Sequence, residues 1–63
     1  MAWIHLDVEE IVRETDAAFL IRLDGEEYWI PKSQVSDPED YAKGDRDASM
    51  SITEWIAEQK GIA

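Results

Sequence analysis

The chain contains no cysteine and no asparagine. The first absence excludes disulfides, thiolate nucleophiles and cysteine-ligated zinc. The second leaves no acceptor for N-glycosylation. Histidine occurs once, at His5, so no pair of histidines can share a metal ion. Glycine is confined to positions 25, 44 and 61, too far apart to build a glycine-rich phosphate loop. No apolar run approaches the ~18 residues of a membrane helix, and the N-terminus lacks a charged start followed by an apolar stretch. These absences point away from a membrane partner and towards the cytoplasm. Positive charge is also scarce. Six Lys and Arg stand against fifteen Asp and Glu, a net charge of −9 and an isoelectric point near 4.2. The bases (Arg13, Arg22, Lys32, Lys43, Arg46 and Lys60) are scattered. A phosphate-tracking groove needs a basic patch, so direct nucleic-acid binding is disfavoured.

What remains is a globular composition, 44% hydrophobic and 33% charged. With 63 residues the expectation is a single domain, 1–63. A folded chain of this mass exposes about 4,100 Å² and buries about 60% of its unfolded surface, a core worth only a few kcal/mol net. Three Trp, two Tyr and one Phe help, because each large ring buries ~150–250 Å².

Ile4, Leu6 and Val8 alternate with Trp3, His5 and Asp7, the period of a strand. The alternation breaks at Glu9-Glu10 and resumes at Ile11-Val12, which a β-bulge at the two glutamates would explain. A helix with Ile4, Val8, Ile11 and Val12 on one face is the rival reading; the β-branched content and the strands that follow favour the strand. Thr15-Asp16-Ala17 reads as a turn. Residues 18–23 and 26–30 flank Asp24-Gly25, the strongest short hairpin signal, since a type I′ turn needs positive φ at both central residues. Such a turn sets Leu23 opposite Glu26, Arg22 opposite Glu27, Ile21 opposite Tyr28, Leu20 opposite Trp29 and Phe19 opposite Ile30. Phe19, Ile21, Tyr28 and Ile30 then face the core, and Leu20, Trp29 and an Arg22–Glu27 ion pair face out.

Pro31 ends the strand, because proline cannot donate to a ladder. Residues 32–35 read as a short 3₁₀ turn with Val35 tucked inward. Residues 36–47 form an acidic loop holding Asp37, Glu39, Asp40, Asp45 and Asp47, with Tyr41 its only large anchor. Residues 48–52 form a last strand. A short helix follows, capped by a Ser51/Glu54 box or by Thr53 alone and stopped at Gly61. Ile52, Trp55 and Ile56 make its apolar stripe. The class expected is mainly β (α+β): a small SH3-like or OB-like antiparallel barrel of three to five strands with one short C-terminal helix. An open sheet with the helix laid across it is the second architecture.

Two stretches carry a resemblance. Leu23-Asp24-Gly25-Glu26-Glu27-Tyr28-Trp29-Ile30-Pro31-Lys32-Ser33-Gln34-Val35 and Glu54-Trp55-Ile56-Ala57-Glu58-Gln59-Lys60-Gly61 resemble a pattern in small acidic proteins encoded by phages and prophages. The resemblance implies a mobile-element origin, hence the cytoplasm of a bacterial host, and assigns no site.

No catalytic constellation stands out. His5 falls within a strand, and serines 33, 36, 49 and 51 have no base at a telling spacing. Asp45-Arg46-Asp47-Ala48-Ser49 begins like a calcium loop, but Met50 stands where glycine is needed and Ile56 where the bidentate glutamate is needed. No metal, cofactor or enzymatic activity is expected. The acidity suggests a protein that docks on a basic surface of a nucleic-acid-binding complex, as an inhibitor of a host defence system such as a CRISPR effector or a restriction enzyme. Carboxylates would compete there with phosphates for Lys and Arg. The candidates are Asp24, Glu26, Glu27, Asp37, Glu39, Asp40, Asp45 and Asp47. The alternative is an SH3-like accessory module of phage replication or assembly, binding through an apolar patch at Leu20, Trp29 and Tyr41. A homodimer covering an exposed sheet face is compatible with either.

Overall fold

The computed structural model describes residues 2–62. Four strands run in the order β1 (Trp3–Glu14), β2 (Ala18–Leu23), β3 (Glu26–Pro31) and β4 (Arg46–Thr53), followed by helix α1 (Glu54–Lys60). Two 3₁₀ turns, Lys32–Gln34 and Pro38–Asp40, sit between β3 and β4. The strands form one open antiparallel sheet, ordered β3-β2-β1-β4. Closure is limited to a single bridge between Val35, just beyond β3, and Ile52 of β4.

The long first strand changes neighbours part-way. It pairs with β4 from Trp3 to Glu10 and with β2 from Glu10 to Glu14. Its inward side changes phase at the same place. Leu6 and Val8 are buried two apart, and the next buried residue is Ile11. The broken alternation at Glu9-Glu10 is therefore real. The bulge itself lies elsewhere: the register slips between Ile11 and Arg13, against β2. The glutamates mark the change of partner, and the extra residue is absorbed where the second pairing is already under way.

The hairpin has the expected register from Leu23–Glu26 to Phe19–Ile30, and Ala18 also pairs with Pro31. Asp24 and Gly25 both take positive φ, 50° and 79°, as a type I′ turn requires. Thr15 closes the preceding turn: its hydroxyl accepts from the backbone N–H groups of Ala17 and Ala18. Phe19, Ile21 and Ile30 are fully buried with Val8, Ile11, Met50 and Ile52, and Tyr28 packs against them half-buried.

The acidic loop is tied down. The Tyr41 ring meets Phe19 edge-on, centroids 6.2 Å apart, and its hydroxyl donates to the Ser49 carbonyl at 2.8 Å. Gly44 donates to the Ile11 carbonyl and Ile11 donates to that of Asp45. These bonds bring the chain to β1 early, so β4 starts at Arg46 rather than at Ala48.

Helix α1 is capped by Thr53 alone, whose hydroxyl accepts from Ile56 N–H at 3.2 Å and donates to Gln34 Oε1 at 2.6 Å. No Ser51/Glu54 box forms, because Ser51 still lies in the ladder opposite His5. The buried helix residues are Ile56 and Ala57, and Trp55 is exposed. At about 100° per residue, a helix that turns Ile56 and Ala57 to the sheet carries Trp55, about 200° from Ala57, to the solvent side.

Candidate functional site

The β1 change of partner opens a cleft. Over its first half β1 has β4 on one side and no strand on the other. The tip of the β2–β3 hairpin stands off from this half, leaving a cleft of about 460 Å³. His5, Leu6 and Asp7 of β1 line it, with Leu23, Asp24, Glu26 and Tyr28 of the hairpin and Gly61 and Ile62 beyond α1. Gly61 has φ 73°, and Ile62 N–H donates back to the Ala57 carbonyl at 2.9 Å. That left-handed helix stop folds Ile62 onto the core and into the cleft wall.

The hairpin tip is held in place. Gly25 N–H donates to Glu9 Oε1 at 2.8 Å, a bond from the turn to β1. Tyr28 hydroxyl donates to Glu26 Oε2 at 2.6 Å. The bond to Glu26, then partial burial, then the charges of Glu26 and Asp24 push the Tyr28 hydroxyl above its ordinary value. Three carboxylates, Asp7, Asp24 and Glu26, thus share one cleft with the apolar Leu6, Leu23 and Ile62, and no Lys or Arg lines it.

The predicted acids divide into groups with different employment. Asp24 and Glu26 belong to the cleft. Glu27 accepts from Arg22 at 3.4 Å, and Glu10 accepts from the same guanidinium at 3.2 Å. Asp37, Glu39 and Asp40 are exposed together on the second 3₁₀ turn, outside the cleft. Asp45 is structural: its carboxylate accepts from Ala42 N–H at 3.0 Å. Asp47 is exposed at the start of β4, which occupies most of the calcium-loop-like segment. Among the described residues no group of three His, Asp or Glu is placed to hold a metal ion.

The apolar patch does not assemble. Trp29 is exposed, but Leu20 is only 8% exposed, in register between Trp29 and Arg13. Tyr41 is anchored on Phe19.

Two site residues escaped the sequence reading. Asp7 looked like an ordinary outward strand residue, and only the gap beside β1 gives it a role. Ser51 Oγ lies 2.7 Å from His5 Nδ1, a pairing that follows from the β1–β4 register and not from sequence spacing. Among the described residues no carboxylate orients the other ring nitrogen, so the pair lacks the third group of a catalytic relay.

Lys32 is engaged towards the other end of β1. Lys32 Nζ bonds Glu14 Oε2 at 2.7 Å and lies 4.9 Å from the Phe19 ring centroid. Lys43 N–H reaches the other Glu14 oxygen, and Arg13 is the neighbouring residue. Glu14 is seven residues beyond Asp7 on β1, roughly 20 Å along a strand.

No family model, curated protein or solved structure matches the chain. Among the described residues no helix is long and apolar enough to cross a membrane.

Proposed function

We propose that this is a small acidic protein-interaction protein, phage-encoded, that docks on a basic surface of a host nucleic-acid-binding complex and inhibits it. The observation that carries the reading is the acidic cleft beside the first half of β1. Asp7, Asp24 and Glu26 share a cleft with no lining Lys or Arg, while Lys32 and the Lys43 backbone are engaged at Glu14. Only Glu10, Glu14 and Glu27 of the fifteen acids stand in ion pairs among the described residues. Apart from Glu9 and Asp45, whose carboxylates bond backbone N–H groups, the remaining acids are presented on a tied-down scaffold, which suits competition with phosphate oxygens for Lys and Arg. Opposite charge would speed encounter and make the complex salt-sensitive.

The test is affinity capture from bacterial lysate with a salt-gradient elution, run beside a variant carrying Asp24→Asn and Glu26→Gln. The expected result is a nucleic-acid-binding complex that leaves the wild type at moderate salt and is retained poorly by the variant. A partner that resists salt and is lost with Trp29→Ala favours the SH3-like accessory module. That second reading keeps one supporting observation, the 43% exposure of Trp29 on the sheet's outer face.

A further inference from the structure

We infer that the cleft between the first half of β1 and the hairpin tip takes one protruding arginine side chain of the partner protein, with its guanidinium among Asp7, Asp24 and Glu26 and its aliphatic stem against Leu6, Leu23 and Ile62. The inference rests on the docking function proposed above and names the chemistry of its anchor.

The cleft has both halves of what such a side chain needs. An arginine carries three methylenes that prefer apolar walls and a planar head that stays charged at any working pH. Leu6, Leu23 and Ile62 supply the walls, and at about 460 Å³ the cleft admits a whole side chain. Three carboxylates supply the counter-charge, and no Lys or Arg is among the lining residues; His5, which also lines the cleft, has its Nδ1 bonded with Ser51 Oγ. Asp7 and Asp24 stand in no ion pair among the described residues.

Tyr28 adds a ring whose position is set by its bond to Glu26. A guanidinium stacks on such a face, whereas an ammonium is a compact, strongly hydrated point. Glu26 spends one oxygen on that hydroxyl and keeps acceptor capacity for further donors. The C-terminal end of α1 reaches the cleft at Gly61, and helix C-termini carry partial negative charge. A bare hydrated cation would gain nothing from the leucine and isoleucine walls. The amphipathic side chain uses both the carboxylates and the apolar walls.

The experiment is an NMR titration of the full chain with Nα-acetyl-arginine methylamide. The neutral isostere Nα-acetyl-citrulline methylamide and the lysine analogue serve as comparisons. The expected result is saturable shifts at Leu6, Leu23, Tyr28 and Ile62 with a Kd of about 1–10 mM, the scale of one side chain's contacts. Lysine should bind several-fold more weakly and citrulline should give no saturation. Asp24→Asn with Glu26→Gln keeps the shape of the hairpin and should weaken arginine binding at least tenfold, its unperturbed spectrum elsewhere reporting an intact fold. Equal binding of citrulline, shifts confined to Asp37–Asp40, or no saturation by about 50 mM would each overturn the inference. If arginine fails while the chain still captures a basic partner in a salt-sensitive manner, the cleft assignment falls and the docking function stands. If arginine binds and no basic partner is captured, the cleft stands and the docking function falls.

Discussion

Phe19 joins several parts of this protein. It pairs with Ile30 across the hairpin and with Glu14 across the β1 turn. It also takes the Tyr41 ring on its edge and the Lys32 ammonium near its face. Truncating a fully buried Phe costs about 3–5 kcal/mol, and a domain of this size has about 3–9 kcal/mol in all. Phe19→Ala should therefore leave the chain largely unfolded in urea titrations at 25 °C, and a loss below about 1 kcal/mol would contradict its central place. Trp55→Ala, on an exposed ring, should change stability by less than about 0.5 kcal/mol in the same assay.

Glu14 makes a pH-dependent contribution. Its bond to Lys32, reinforced by the Lys43 N–H and opposed by partial burial, holds its carboxyl below the 4.5 of an unperturbed glutamate. The folded value lies below the unfolded one, so this contribution is complete above the unfolded value and is lost as pH falls through the folded value. Wild type should lose more stability than Glu14→Gln between neutral pH and about pH 3. Parallel pH profiles for the two proteins would refute the coupling.

At the scale of elements, the hairpin was readable and the start of the helix only partly so. Asp24-Gly25 dictated a turn, and the turn dictated a register that holds at every pair. The cap was ambiguous because Ser51, Thr53 and Glu54 all suit a helix start, and the choice depends on how far β4 stays paired with β1. Thr53→Ala should cost about 1–2 kcal/mol, since it removes a cap and leaves a partly buried Gln34 without its partner. Ser51→Ala, which removes only an exposed bond to His5, should cost less than about 0.5 kcal/mol. Thermal or urea unfolding of the pair separates the two caps, and equal losses would restore the Ser51/Glu54 box. The bulge escaped for a similar reason. Alternation in the sequence records which way side chains face, and the slip between Ile11 and Arg13 depends on β2, a partner that β1 alone does not reveal.

At the scale of the molecule, the charge was plain in the composition but its distribution was not. Asp7 lies on β1, far along the sequence from Asp24 and Glu26 on the hairpin. They line one cleft because the side of β1 away from β4 has no strand beside it until Glu10 among the described residues. Leu20 misled because alternation put it on an outer face, where its neighbours in register cover it. A chain with a net charge of −9 repels itself. Screening should therefore raise its melting temperature between low salt and about 0.5 M sodium chloride, as the Debye length falls from roughly 30 Å to a few ångströms. A flat or falling profile in differential scanning calorimetry would mean that the acids are locally compensated.

The proposed competition with phosphate calls for a measurement on any nucleic-acid-binding complex recovered with the protein. The measurement is the binding of labelled nucleic acid to that complex as this protein is added, at several salt concentrations. Wild type should displace the nucleic acid stoichiometrically, with an advantage that shrinks as salt rises. The Asp24→Asn, Glu26→Gln variant should need at least tenfold more protein. A stable ternary assembly in which the nucleic acid stays bound would contradict the proposed competition.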